Sequence, residues 1–322
     1  MNKFETSVLV KLSTIIILVS IACGQSKEEA RQKLGELNVV YDERSFVEYA
    51  AKGDDYVVSL FLQAGMDPNT NNGRALREAA ERGHDSVVML LSEHKAIKTS
   101  SIYEAFDEAV REGQLSAAKI LVNASTNIDT LLLPACSESE EVALFLLENG
   151  ADVKVRNYYG KTALMAAAGA GHTELAKVLI QEGADVNAQT MGSGSYTPIL
   201  YYSMGRTDNP ELLRLLLEKG AKTNVRDDRG WTLLMFTADR GKIESTRLLT
   251  ESGVDVNESD TLGVTPLMLA AKAKDEGKRV ELVKLLIEKG ADVNAKDHYG
   301  RRPLAFARGK VSQILRDAGA LP

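Results

Sequence analysis

Cysteine is almost missing from this chain: among 322 residues only Cys23 and Cys136 occur. A small domain stapled by several disulfides is therefore excluded. Aromatic residues make up 6% of the chain, with a single tryptophan, Trp231. No sign of charge dominates, since 39 Lys and Arg stand against 45 Asp and Glu for a net charge of −6. A basic stripe of the kind that nucleic-acid binding requires is lacking, so no nucleic-acid partner is expected. The apolar run from Leu12 to Ala22 is about eleven residues, well short of the roughly 20 that a membrane-spanning helix needs.

Catalytic constellations are missing too. His84 and His172 each follow a turn glycine, which fits a structural role, and neither His94 nor His298 has a second ligand at metal-site spacing. Cys136 has no base supplied nearby by the sequence, and packs best as a small apolar residue on a helix. The glycine pairs at Gly169-Ala-Gly171 and Gly192-Ser-Gly194 do not follow a strand and open a helix, as a phosphate loop must. No active site, no cofactor and no metal are expected. A hydrolase would need a catalytic pair between Ala96 and Glu141, where only Cys136 and scattered Ser and Glu are available.

What is present is repetition. Gly-Ala-Asp-Val occurs at 150–153, 183–186 and 290–293, Gly-Val-Asp-Val at 253–256 and Gly-Met-Asp-Pro at 65–68. In four of the five the next residue is asparagine: Asn69, Asn187, Asn257 and Asn294. A period of about 33 residues marks stacked units that bury their apolar faces only against one another. The 44% hydrophobic content can supply such a long, shallow core.

Each recurring position has a mechanical reason. Thr162, Thr197, Thr232 and Thr265 are placed to cap a first helix, with Pro198 and Pro266 at its first position. Gly53, Gly83, Gly113, Gly171 and Gly241 permit a tight turn into a second helix, which Gly183, Gly220, Gly253 and Gly290 then terminate. The Asp/Asn-rich stretch that follows, such as Asn294 to Gly300, reads as a hairpin loop. Lys95 and Ser125 replace the terminal glycine in the second and third units, the fourth lacks most of its hairpin, and residues are inserted around Met204–Pro210 and Lys272–Arg279.

The unit from Gly230, G-W-T-L-L-M-F-T-A-D-R-G-K-I-E-S-T-R-L-L-T-E-S-G-V-D-V-N, resembles the ankyrin repeat, as do those from Gly160 and Gly263. The resemblance covers about residues 41–320 and implies an all-α ankyrin-repeat solenoid of about nine units including caps. The repeat domain is expected at 41–322, with a C-terminal cap at about 300–322 and an N-capping helix at Lys27–Leu37. Residues 1–22 stand apart as a secretory signal. There, Val19-Ser20-Ile21-Ala22-Cys23 resembles the lipobox of bacterial lipoproteins, with Ser20 where that motif usually has leucine. The resemblance implies cleavage before Cys23, lipidation of Cys23, and residues 23–40 as linker and capping helix. The expected location is extracytoplasmic and membrane-anchored at a bacterial envelope. The competing reading, a secreted module acting on a foreign protein, requires an unmodified Cys23.

Ankyrin-family proteins usually bind through hairpin tips and the concave face of the first helices, which implies a protein partner for this chain; a monomer is the default expectation. The tip positions hold Tyr158, Tyr159 and Lys161, then Tyr196, then Asp228, Arg229 and Trp231, then Leu262 and Val264, and finally His298, Tyr299 and Arg301. Tyr, Trp and Arg are enriched at interface hot spots, although the same rings can also staple neighbouring hairpins. Met165, Met235 and Met268 share one first-helix position and are expected to pack between repeats.

Overall fold

A computed structural model describes residues 26–192, 194–272 and 275–322. The signal segment expected at residues 1–22, and Cys23, lie outside the described residues. The described chain is all-helical, and its only β-structure consists of isolated bridges at Arg156–Thr162 and Arg226–Thr232. Its contacts divide it into two compact units, one ending at Ala151 and the other running from Asp152 to Pro322.

The N-terminal unit begins with α1 (Lys27–Glu36), started by Ser26, whose hydroxyl accepts from the Glu29 N–H while the Glu29 carboxylate accepts from the Ser26 N–H. Pairs of helices follow: α2 (Glu43–Lys52) with α3 (Asp55–Gln63), α4 (Thr70–Glu81) with α5 (Asp85–Ser92), α6 (Thr99–Arg111) with α7 (Leu115–Ala124), and α8 (Asp129–Glu138) with α9 (Glu140–Glu148). First helices α2, α4, α6 and α8 contact one another in sequence, and so do α1, α3, α5, α7 and α9, giving two helical layers. Phe46, Phe61, Phe106, Leu121 and Cys136 are fully buried between them.

The C-terminal unit repeats the plan with α10 (Ala163–Ala170) and α11 (Thr173–Gln181), α12 (Pro198–Met204) and α13 (Pro210–Glu218), and α14 (Leu233–Asp239) and α15 (Ile243–Glu251). It ends with α16 (Pro266–Lys272) and α17 (Glu276–Glu288), then the short α18 (Pro303–Phe306) and α19 (Lys310–Asp317). Thr162 and Thr232 accept the N–H of Met165 and Met235 at 3.3 Å, and Thr265 that of Met268 at 3.4 Å. Thr197 occupies the same position without a bond from its hydroxyl. The three methionines are buried, and two do more than pack. The sulfurs of Met165 and Met235 accept the backbone N–H of Thr162 and Thr232 at 3.4 and 3.5 Å, so each helix start is closed from both sides. Within the Lys272–Arg279 insertion, α17 starts at Glu276, capped by Asp275 through the Lys278 N–H at 3.1 Å.

The recurrent asparagine is a clamp between repeats. Asn69 donates to the Ala96 carbonyl and accepts from the Lys98 N–H; Asn187 does the same with Gly220 and Lys222, Asn257 with Gly290 and Asp292, and Asn294 with Gly319 and Leu321. Distances lie between 2.7 and 3.1 Å. A second link comes from residues after the turn glycine: His84 Nε2 contacts the Ala51 carbonyl at 2.9 Å and Gln114 donates to the Glu81 carbonyl at 3.2 Å. Both asparagine and turn-residue links reach a backbone group one repeat away, which an apolar contact could not satisfy.

Candidate interaction surface

The hairpin tips of the C-terminal unit share one construction. In three of them an aspartate opens the turn: Asp227, Asp260 or Asp297 accepts two backbone N–H groups with a single oxygen, at 2.8–3.0 Å. Asn157 does this in the first tip, accepting from Tyr159 and Lys161 at 3.0 Å. A glycine with left-handed φ closes each turn, and at Gly230 and Gly263 the next tip comes so near that a Cβ would sit 3.1 Å from its backbone. The inserted second tip is wider, with the Thr190 N–H bonded to the Tyr196 carbonyl at 3.0 Å.

Neighbouring tips are also tied by backbone bonds. The Met191 N–H donates to the Tyr159 carbonyl at 2.8 Å, Thr261 to Arg229 at 3.0 Å and His298 to Leu262 at 2.9 Å. Side chains along this edge are therefore held by short, doubly anchored loops.

Those side chains fall into two groups. Tyr158 and Tyr159 are 90% and 69% exposed with their rings edge to face at 5.4 Å, while Met191, Leu262 and Tyr299 are 69%, 49% and 71% exposed. Asp228, Arg229, His298 and Arg301 are exposed as well. Trp231, Tyr196, Val264 and Lys161 are half-buried. Trp231 packs on Phe236 at 5.1 Å, lies under the Arg229 guanidinium at 4.4 Å and donates to Asp260 at 3.0 Å, so its ring braces two repeats. Tyr196 rests on Tyr201, and Lys161 lies 5.4 Å from that ring. Burial raises the Tyr196 hydroxyl pKa above its ordinary value, assisted by Asp228 and Asp227. Arg301 crosses both Tyr299 and Phe306 and pairs with Asp297 at 2.7 Å.

One polar cluster, in which Tyr202, Lys242 and Ser245 are buried and Asp208 lies at the surface, had no signal in the repeat pattern. Asp208, in the insertion after α12, accepts the Glu244 and Ser245 N–H groups at 3.0 and 3.2 Å and also the Ser245 hydroxyl. Ser245 shares a hydrogen with Tyr202 at 2.5 Å, and Lys242 donates to the Tyr202 carbonyl at 2.7 Å. Burial pushes the Tyr202 hydroxyl up to about 12 and the Lys242 ammonium down to about 8. Every member faces another repeat, so the cluster stitches α12 to α15. Among the described residues no group of His, Cys, Asp and Glu could hold a metal ion, and no helix is long and apolar enough to cross a membrane.

Comparison with known proteins agrees with this architecture. The family model described as ankyrin repeats (3 copies) matches residues 46–131, 106–190 and 200–297. The chain is 36% identical over 108 residues to human ankyrin repeat and KH domain-containing protein 1, covering 33% of this chain and 4% of the relative. It is 32% identical over 178 residues to human ankyrin repeat and SOCS box protein 3, covering 42% and 34%. A putative ankyrin repeat protein of Rickettsia bellii is 37% identical over 86 residues, 26% of each chain. The matched segments thus span no more than 34% of these curated relatives. Repeats of this kind are a protein–protein interaction module, and the chain belongs to the ankyrin-repeat family.

Proposed function

We propose that this chain is a non-enzymatic scaffold that holds a protein partner against the tip edge of its C-terminal unit and the adjoining first helices, and that a lipid on Cys23 tethers it outside the cytoplasm. The observation that carries the binding reading is the exposure of Tyr158, Tyr159, Leu262 and Tyr299 on loops fixed by backbone and Asx hydrogen bonds. Large side chains exposed side by side, as the rings of Tyr158 and Tyr159 are, mark interaction sites, and preordered rings lose little entropy on binding. Trp231 and Val264 support the edge from behind, and the exposed tyrosines are the contact residues.

The tether is supported by the apolar run ending in Ala22-Cys23. Two or more acyl chains hold a protein on a bilayer stably, each buried CH₂ contributing about 0.8 kcal/mol. Both parts are testable in one strain. Cross-linking and mass spectrometry on envelopes should recover a defined partner from wild type and lose it from Tyr159→Ala/Tyr299→Ala. Labelling with a palmitate analogue should mark wild type and spare Cys23→Ser. A partner retained by the double variant would remove the tips from the site, and unlabelled protein in the medium would remove the tether.

A further inference from the structure

The first tip differs from its sisters in charge while sharing their geometry. In the third tip Arg229 pairs with Asp227 at 3.1 Å and Arg226 with Glu258 of the following repeat at 2.9 Å. In the fifth, Arg301 pairs with Asp297 at 2.7 Å. Cations and carboxylates are thus matched within those tips. At the first tip Asn157 makes the turn that Asp227 and Asp297 make elsewhere, but without a carboxylate. Arg156 donates to the Gln189 carbonyl at 3.3 Å as Arg226 does to Ser259, yet the residue corresponding to Glu258 is Ala188. Both carboxylates that would neutralise the tip are replaced. From Asp152 to Lys161 three cations, Lys154, Arg156 and Lys161, stand against one carboxylate, that of Asp152, which accepts the Lys154 N–H at 2.8 Å.

This cationic tip surrounds the most exposed apolar group of the unit. Lys154 and Arg156 are exposed beside Tyr158 and Tyr159, and Met191 is drawn to them by its bond to the Tyr159 carbonyl. Of two rings meeting edge to face, the partner covers only one face of one ring, which leaves ring faces open to an incoming side chain. Arginine and lysine around such a patch select carboxylates and repel a basic partner.

We infer that the first tip is the specificity element of the proposed interaction edge, and that its occupant is an acidic segment of a protein carrying an aromatic or aliphatic anchor. The anchor lies on Tyr158, Tyr159 and Met191 while its flanking carboxylates meet Lys154 and Arg156. This deepens the tip-edge reading above and rests on it.

The test uses the full chain and a displayed random dodecapeptide library, with Asn157→Asp as the decisive variant. Aspartate already makes this turn in three sister tips, so Asn157→Asp keeps the loop and changes its charge alone. Selected peptides should carry clustered Asp or Glu beside Leu, Phe or Tyr. Their affinity should fall about fivefold or more in Asn157→Asp and Arg156→Gln, and further as salt rises toward about 0.3 M. Recovery of neutral or basic peptides, of none, or of peptides indifferent to Asn157→Asp would overturn the inference. So would binding of the chain to vesicles of phosphatidylcholine with about one-third phosphatidylserine that the peptides do not displace, since anionic lipid attracts lysine and arginine by the same charge. Peptides lost from Tyr158→Ser/Tyr159→Ser but kept by Asn157→Asp would leave the tip edge standing without its acidic ligand. Indifference to every tip variant would remove the edge itself.

Discussion

The N-terminal unit passes from one repeat to the next within a few residues at Lys95 to Thr99 and Ser125 to Asp129, and after Gly65 its next helix becomes regular only beyond Gly73. The C-terminal unit takes the longer and constant interval from Gly150 to Ala163, Gly220 to Leu233, Gly253 to Pro266 and Gly290 to Pro303, and a wider one from Gly183 to Pro198. Both units keep the helix pairs and the asparagine clamp. Only the second builds hairpins, because there the Asx residue stands three places ahead of a positive-φ glycine and takes two loop N–H groups on one oxygen. In the first unit the equivalent stretch after Asn69 is a left-handed turn through Asn71, Asn72 and Gly73, with Gly73 seated against Ser101. Stacking and surface are therefore separable: the helices make the repeat stable, and the loops decide whether it presents anything.

Breaking the stack should cost most. Phe106→Ala, in the core of the N-terminal unit, is expected to lose about 3–5 kcal/mol in urea unfolding; a loss below about 1 kcal/mol would show that this unit is not held by helix packing. Next comes Lys242. Its folded pKa of about 8 lies below the ordinary 10.5, so the burial cost is fully present below pH 8 and is relieved as pH rises toward 10.5. Stability should therefore increase over that window by up to about 1.4 kcal/mol per pH unit, a slope that Lys242→Met abolishes.

The clamp sharpens the comparison from the other side. Asn69→Ala and Asn257→Ala should each cost about 1 kcal/mol, because each removes two bonds to the backbone of the next repeat at positions that water can reach. Similar losses would show one stacking device common to both units, and unequal losses would divide them. The smallest effect belongs to the last tip. Burial of Asp297 pushes its carboxyl up, but bonds from the Arg301 and Tyr299 N–H groups and the Arg301 guanidinium prevail and hold it below 3.8. Its stabilisation is present above that value and lost as pH falls through the lower folded pKa. Asp297→Asn should flatten this acid limb in a thermal melt.

The repeat architecture was legible because its signals are local. Glycine turns, threonine caps and apolar pairs act within one repeat, and Lys95 and Ser125 marked the divergent unit for the same reason. The asparagine recurrence was visible while its role was not, since its partners lie 33–35 residues away at Asn187. Asp208 gave no signal because an insertion has no counterpart in the other repeats. Trp231 reads as a contact residue on composition; it is half-buried, packed on Phe236 and bonded to Asp260 of the following repeat. Tyr158, Tyr159 and Tyr299 read the same way and stand open to solvent. What separates them is contact across repeats, which a single unit's sequence does not contain.

The most direct measurement is a photo-cross-linking scan in living cells, with a benzophenone amino acid placed in turn at Tyr159, Leu262 and Tyr299 and, for the N-terminal unit, at the exposed Tyr56 and Tyr103. Adducts with one common protein at the three tip positions and none at Tyr56 or Tyr103 are the predicted result. Adducts confined to Tyr56 and Tyr103 would place the binding surface on the unit without hairpins and contradict the account.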